Sequence, residues 1–175
     1  GVTLLNEVFT YSNPKTAAEV LEELRIKVKE ALNQTEYKTE AKDGMDIALC
    51  IIDKTSNKLQ FSGAYNSLYM VRNAELIEFK AIRNPVGVHM KELPFQNEII
   101  EYQSSDQFYI FSDGYSDQVG GLLQQKFKIV EFRKLIQSIS NLPMNEQATK
   151  LENTIQIWRG SADQTDDILV VGFKF

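Results

Sequence analysis

Two groups of aspartates carry the residue types and spacing from which chemistry is most readily built. The first closes an apolar run, Phe108-Tyr-Ile-Phe-Ser-Asp113-Gly114-Tyr-Ser-Asp117. The second opens one, Asp163-Gln-Thr-Asp166-Asp167-Ile-Leu-Val-Val. A carboxylate that ends a buried strand stands at the rim of its sheet, and a following glycine lets the backbone approach a bound ion closely. Two adjacent acids entering a strand point to opposite faces, so one of Asp166 and Asp167 is expected to face the interior or a cleft. If the two strands are neighbours, Asp113 and Asp166 converge from distant points of the chain. An all-carboxylate site suits a hard cation such as Mg²⁺ or Mn²⁺, and a cation would offset the cost of burying like charges. The plainer reading is a strand-end turn at Asp113-Gly114 and a solvated strand entry at Asp166-Asp167. On spacing alone, both readings stand.

Other chemistries are short of residues. The single histidine, His89, follows Asn84-Pro85-Val86-Gly87 and reads as an exposed loop residue without a role. One histidine cannot build a His-rich zinc site and leaves a Ser-His-Asp triad only one candidate base. Cys50, also single, lies inside an apolar run and reads as a small core residue. It cannot form an intrachain disulfide, which fits a reducing, cytoplasmic setting. Nineteen Lys+Arg against 24 Asp+Glu give a net charge of −5. The basic residues are scattered, which argues against a nucleic-acid partner. No apolar stretch approaches a membrane span and no signal peptide is evident, so direct membrane insertion is not expected.

The elements that must position these acids follow from periodicity. At 175 residues with 43% hydrophobic residues, including ten Phe, seven Tyr and one Trp, a single domain over 1–175 with a substantial core is the expectation. Leu4, Leu5, Val8 and Phe9 have helical spacing with no cap before them, so the chain opens inside a helix. Asn13-Pro14 reads as a cap and first turn. Ala17, Val20, Leu21, Leu24, Val28, Ala31 and Leu32 then share one helical face, with Glu23 and Lys27 placed to pair. Asp43-Gly44 ends a polar loop, and Asp43 and Asp46 mark a strand entry. Residues 45–53 are apolar on both alternating faces, as in a central strand covered on both sides. Short strands are predicted over 58–63, 67–72, 75–79, 95–102 and 107–112, with tight hairpin turns at 54–57 and 73–74. Phe132, Leu135, Ile136 and Ile139 give one helical stripe. Met144, Ala148, Leu151, Ile155 and Trp158 give another, opened by Pro143. A final strand closes the chain from Asp167. Helices at both ends of a run of antiparallel strands point to an α+β layered fold.

Four segments together carry a resemblance. Asp43-Gly-Met-Asp-Ile-Ala-Leu-Cys-Ile-Ile-Asp53, Phe61-Ser-Gly-Ala-Tyr-Asn66, Phe111-Ser-Asp-Gly-Tyr-Ser-Asp-Gln-Val-Gly-Gly121 and Gln164-Thr-Asp-Asp-Ile-Leu-Val-Val-Gly172 occur in order across the chain. The set resembles the SpoIIE-like bacterial branch of the PPM metal-dependent serine/threonine protein phosphatases. The resemblance implies an antiparallel β-sandwich flanked by helices, with two Mn²⁺ or Mg²⁺ ions in a cleft between the sheets. It implies that Asp113 and Asp166 are metal ligands, with Gly114, Asp117 and Asp167 as weaker candidates and no catalytic residue beyond the ligands. It further implies hydrolysis of phosphoserine on a regulatory protein, of the anti-sigma-factor-antagonist kind, by a metal-activated water.

One family element has no counterpart among residues 1–175. An Asp-x-x-Gly-His-Gly segment, whose aspartate bridges both metals, comes before a helix resembling the opening residues here. The expectation is therefore the C-terminal portion of a catalytic domain, lacking its N-terminal strands and impaired as a catalyst on its own. It would belong to the cytoplasmic part of a larger sensor protein. Open strand edges would suit a homodimer. The alternative is a non-catalytic interaction module that keeps the phosphatase-like fold.

Overall fold

The computed structural model describes residues 2–32 and 44–175; Asp43 and the polar loop before Gly44 lie outside the described residues. The contacts fall into two compact units, Gly1–Leu68 with Phe79–Tyr102 and Tyr69–Glu78 with Gln103–Phe175.

In the first unit, α1 (Val2–Glu7) runs into a π-helical segment (Val8–Ser12), and α2 (Ala17–Ala31) follows. Asn13 does not cap α2. It sits in the left-handed region at φ 47°, closing the π-helical segment, a conformation asparagine tolerates. The cap is Thr16, whose hydroxyl accepts from the Glu19 N–H at 3.2 Å, while the Glu19 carboxylate takes the Lys15 N–H at 2.6 Å. Thr16-x-x-Glu19 is thus a near capping box, which outcompetes the Asn-Pro signal. Lys27 pairs with Glu7 at 3.2 Å instead of with Glu23.

Short β1 (Gly44–Met45) precedes β2 (Ile47–Asp53), β3 (Lys58–Ala64), β4 (Leu68–Arg72) and β5 (Glu75–Phe79). Next come β6 (Val86–Gly87), which pairs with β1, and β7 (Glu98–Glu101). The three-stranded antiparallel sheet of this unit has the order β2-β3-β7. Met45, Ile47, Leu49 and Ile51 pack at period two on the buried face of α2, together with Val8, Val86 and Phe95. Among the described residues β2 is therefore an edge strand, not a central one. Its second face carries Ala48, Cys50 and the exposed Ile52. Burial pushes the Cys50 thiol up to about 12, so it is no nucleophile near neutral pH. His89 is half-buried, with Nδ1 held against Lys91.

The second unit holds β8 (Gln107–Phe111), α3 (Gly114–Asp117), the small hairpin β9 (Val119–Gly120) and β10 (Gln125–Lys126), α4 (Ile129–Ile139), α5 (Met144–Arg159) and β11 (Val170–Lys174). Its sheet has the order β11-β8-β4-β5. The two-residue turn between β4 and β5 has both central residues at positive φ, Asn73 at 52° and Ala74 at 63°, the primed geometry that matches strand twist. The α4 stripe buries Phe132, Ile136 and Ile139 as its spacing predicts. On α5, Leu151 and Ile155 are buried, but Ala148 is exposed and Gln147 takes the inner place. Tyr69, Phe111, Tyr115 and Phe132 form one aromatic cluster, with ring centroids 4.6 Å apart for Tyr69–Phe111, 4.9 Å for Phe111–Phe132 and 4.6 Å for Tyr115–Phe132. Mixed helices and antiparallel sheets are the α+β pattern that the element order implies. No helix among the described residues is long and apolar enough to cross a membrane.

The start of β8 is fixed by Asp106, which is 0% exposed. It accepts from Arg72 Nε at 2.8 Å and from the Gln103 N–H at 2.8 Å. Burial by itself would raise its pKa, but the hydrogen bonds and charge of Arg72 and the Gln103 amide outweigh that and hold it below the ordinary 3.8. A depressed carboxylate contributes stability above its unfolded value and loses it as pH falls through the folded value. Asp106→Asn is expected to cost about 3 kcal/mol at pH 7, the scale of breaking a buried pair. In urea titrations the gap from the parent should narrow as pH drops below the ordinary aspartate range.

Candidate metal centre

The antiparallel register of β8 and β11 sets Phe111 opposite Val170, so the last residue of one strand meets the first of the other. Asp113 lies two residues beyond that pair and Asp166 four residues before it. Ser112 carries the pairing past the strand ends. Its N–H donates to the Leu169 carbonyl at 3.0 Å, and its hydroxyl accepts from the Leu169 N–H at 3.0 Å while donating to the Asp167 carbonyl at 2.7 Å. The conditional expectation that these strands are neighbours is met.

Asp113 stands at the N-cap position of α3 yet caps nothing. It is exposed, and its carboxylate makes no hydrogen bond or ion pair with the described residues. Its position is nonetheless fixed, because Phe111 and Tyr115 on either side are both buried in the aromatic cluster. The Tyr115 hydroxyl donates to the Leu151 carbonyl at 2.8 Å, which ties α3 to α5. Gly114 has a different duty: a Cβ there would collide with the backbone of Asp167. Glycine is what lets the two acid-bearing segments pack backbone to backbone.

Asp166 and Asp167 precede β11 and are not part of it, since the strand begins at Val170. The alternation of faces therefore does not apply to them, and both are exposed. Asp166 Oδ1 accepts from the Asp167 N–H at 2.7 Å. Asp117 is already compensated by Lys126, at 2.6 Å. That ion pair weighs against it as a ligand.

In kind, the oxygen donors of Asp113 and Asp166 fit a hard divalent cation. In number they are few. Among the described residues no group of three or more Asp, Glu, His or Cys side chains is placed to hold a metal. Nor do the two carboxylates line the groove alongside the acidic segment. That groove, about 310 Å³, is lined by Tyr115, Leu151, Ile155, Arg159, Gln164 and Ile168 among others.

Four residues around the acids are not marked out by sequence reasoning: Ser112, Gln118, Lys126 and Thr165. Ser112 and Gln118 share one signal, their place inside the quoted motif over 111–121, and Thr165 lies inside the segment over 164–172. The burial of Gln118 carried no signal, since glutamine is ordinarily a surface residue.

The chain matches the family Stage II sporulation protein E (SpoIIE) over residues 3–175. Among solved structures it is similar to the SiaA-PP2C domain of Pseudomonas aeruginosa, with 25% identity and a TM-score of 0.88, over 99% of this chain and 66% of that one. It is similar to the PP2C phosphatase domain, with a fragment of the regulatory domain, of the cell fate determinant SpoIIE from Bacillus subtilis: 16% identity, TM-score 0.72, 99% of this chain and 48% of that one. It is also similar to the catalytic domain of the serine/threonine protein phosphatase PstP, solved in complex with two manganese ions: 16% identity, TM-score 0.62, 97% of this chain and 78% of that one. The chain thus spans less than two thirds of the first two. No curated protein sequence matches it significantly. The fold is that of PP2C-type phosphatase domains.

Gly114→Ala is expected to lower stability by about 1–3 kcal/mol, the range for forced overpacking, because backbone must move. Asp113→Asn should stay within about 0.5 kcal/mol of the parent, as for a surface substitution without lost contacts. Urea unfolding of the two variants checks both values.

Proposed function

The chain belongs to the SpoIIE family, and we propose that it is the part of a metal-dependent protein serine/threonine phosphatase that carries Asp113 and Asp166 as metal ligands. The observation that carries this reading is the joining of the two acid-bearing segments: Ser112 bonds to Asp167 and Leu169, and Gly114 packs against Asp167. A structural turn would normally use its N-cap carboxylate to cap the helix; Asp113 leaves it unused.

When bound, divalent cations at such a site supply the positive charge that activates water and offsets the phosphoryl oxygens. The chain's own residues contribute placement. Asp113 and Asp166 present oxygens at the rim of one sheet, and Ser112 keeps their segments in register. Gly114 permits the close approach. Asp117, neutralised by Lys126, adds no net repulsion to the pair. The substrate read from the family resemblance is phosphoserine on a regulatory protein of the anti-sigma-factor-antagonist kind, in the cytoplasm.

Among the described residues the ligand set is partial under this proposal. Two carboxylates hold one ion loosely, and affinity for hard cations falls with ligand charge and number. Hydrolysis by a metal pair needs ions about 3.5–4 Å apart, which calls for a bridging carboxylate.

Mn²⁺ titration calorimetry on the 175-residue chain should give weak binding that disappears in Asp113→Asn and in Asp166→Asn. Undiminished binding in both variants would sink the ligand assignment. Little Mn²⁺-dependent turnover of p-nitrophenyl phosphate is expected from these residues alone. In a longer protein that includes them and the bridging motif, Asp113→Ala should cut turnover of a phosphoserine protein more than about 100-fold, beyond the loss of an outer-sphere partner. Robust, chelator-sensitive turnover by the 175-residue chain would overturn the partial-set reading.

A further inference from the structure

We propose that Gln118 is a positioning residue for the metal site, a buried clamp that holds the Asp166 segment against the Asp113 segment. The inference rests on the metal reading above and adds a residue to it.

Gln118 follows α3 directly and is 0% exposed. Its side chain reaches across to the loop that delivers Asp166. Nε2 donates to the Asp163 carbonyl at 2.9 Å and to the Val119 carbonyl at 2.9 Å, and Oε1 accepts from the Thr165 N–H at 3.3 Å. A carboxamide offers two donors and two acceptor lone pairs, so both donors and one acceptor position are engaged. The main chain of Gln118 is pinned as well, its carbonyl accepting from Trp158 Nε1 at 3.0 Å and from the Phe127 N–H at 3.0 Å. Thr165 adds a parallel link, its hydroxyl accepting from the Val119 N–H at 3.4 Å.

Ser112 and Gln118 therefore bracket the site. Ser112 fixes residues 167–169 of the acidic segment and Gln118 fixes residues 163–165, with Asp166 between them. Asp113 lies between the same two residues on the other segment. Burying an amide is costly unless it is hydrogen-bonded. Two of the three groups it satisfies, the Asp163 carbonyl and the Thr165 N–H, belong to a loop outside any strand or helix. A side chain needed only to fill volume would not have to meet loop amides and carbonyls.

Gln147 provides a matched control in the same unit. It is 1% exposed and equally well bonded, to Tyr109, Gln107 and Leu142, but it touches neither acidic segment. Gln118→Met and Gln147→Met each remove a buried amide at nearly constant volume. Both should lower thermal stability. Only Gln118→Met should speed amide exchange at Thr165, and only it should weaken Mn²⁺ binding to the 175-residue chain, by about tenfold, as read by electron paramagnetic resonance of the unbound ion. Unchanged Thr165 exchange in Gln118→Met overturns the clamp, with or without metal. Equal loss of Mn²⁺ affinity in the two variants reduces Gln118 to a stability role and overturns the proposal. Parent binding that persists undiminished in Gln118→Met overturns the role of Gln118 alone. A parent chain that binds no Mn²⁺ overturns the metal reading beneath it.

Discussion

The antiparallel pairing of β8 with β11 is the constraint on which the site depends. It sets Phe111 beside Val170 and brings the segment that carries Asp113, after one strand, against the segment that carries Asp166, before the other. Backbone hydrogen bonds alone would stop at the strand ends. Ser112 extends them by lending its hydroxyl as a stand-in for a ladder partner, donating to Asp167 and accepting from Leu169. Gly114 completes the arrangement by having no side chain where Asp167 passes. Without that pairing the two aspartates would be unrelated surface residues.

The rim is exposed, and its order is borrowed from what lies beneath. Phe111 and Tyr115, flanking Asp113, sink into an aromatic cluster with Tyr69 and Phe132. That cluster fixes the turn from two sides, as buried aromatics with large contact area do. At the far end of β8, Asp106 with Arg72 and Gln103 sets where the strand begins. The carboxylate at the rim is thereby held in place without being consumed by a local bond. Asp117 shows the contrast: its charge is met by Lys126, so its electrostatics are settled within the chain.

The small hairpin after α3 follows the same logic at lower cost. The Gly120-Gly121 pair of the sequence motif lies against Trp158, where a Cβ on Gly120 would strike the Trp158 carbonyl, and the Gly121 N–H donates to that carbonyl at 2.7 Å. The indole N–H of Trp158 returns to Gln118. Trp158, read from its stripe as a core residue, is a half-buried hub connecting α5 with the segment that leaves the site.

The sequence by itself determined the elements whose signals are local. Period-two and helical spacing place β3, β5, β8, α4 and the inner face of α2, because each depends only on which side chains must leave water. Asn73-Ala74 announces its hairpin by length alone. The ordered motifs also pick out Asp113 and Asp166, since their residue types survive without any contact being known. Tertiary structure decided what depends on a partner distant in the chain. Thr16 displaced Asn13 as a cap because Glu19 completes a reciprocal set of bonds, and Lys27 chose Glu7 over a same-helix neighbour. The edge position of β2 is a matter of which strands come to lie beside it, which no periodicity encodes. The burial of Gln147 and Gln118 was invisible for the same reason. A glutamine's letter says surface, and only the carbonyls and amides folded around it make burial the better place.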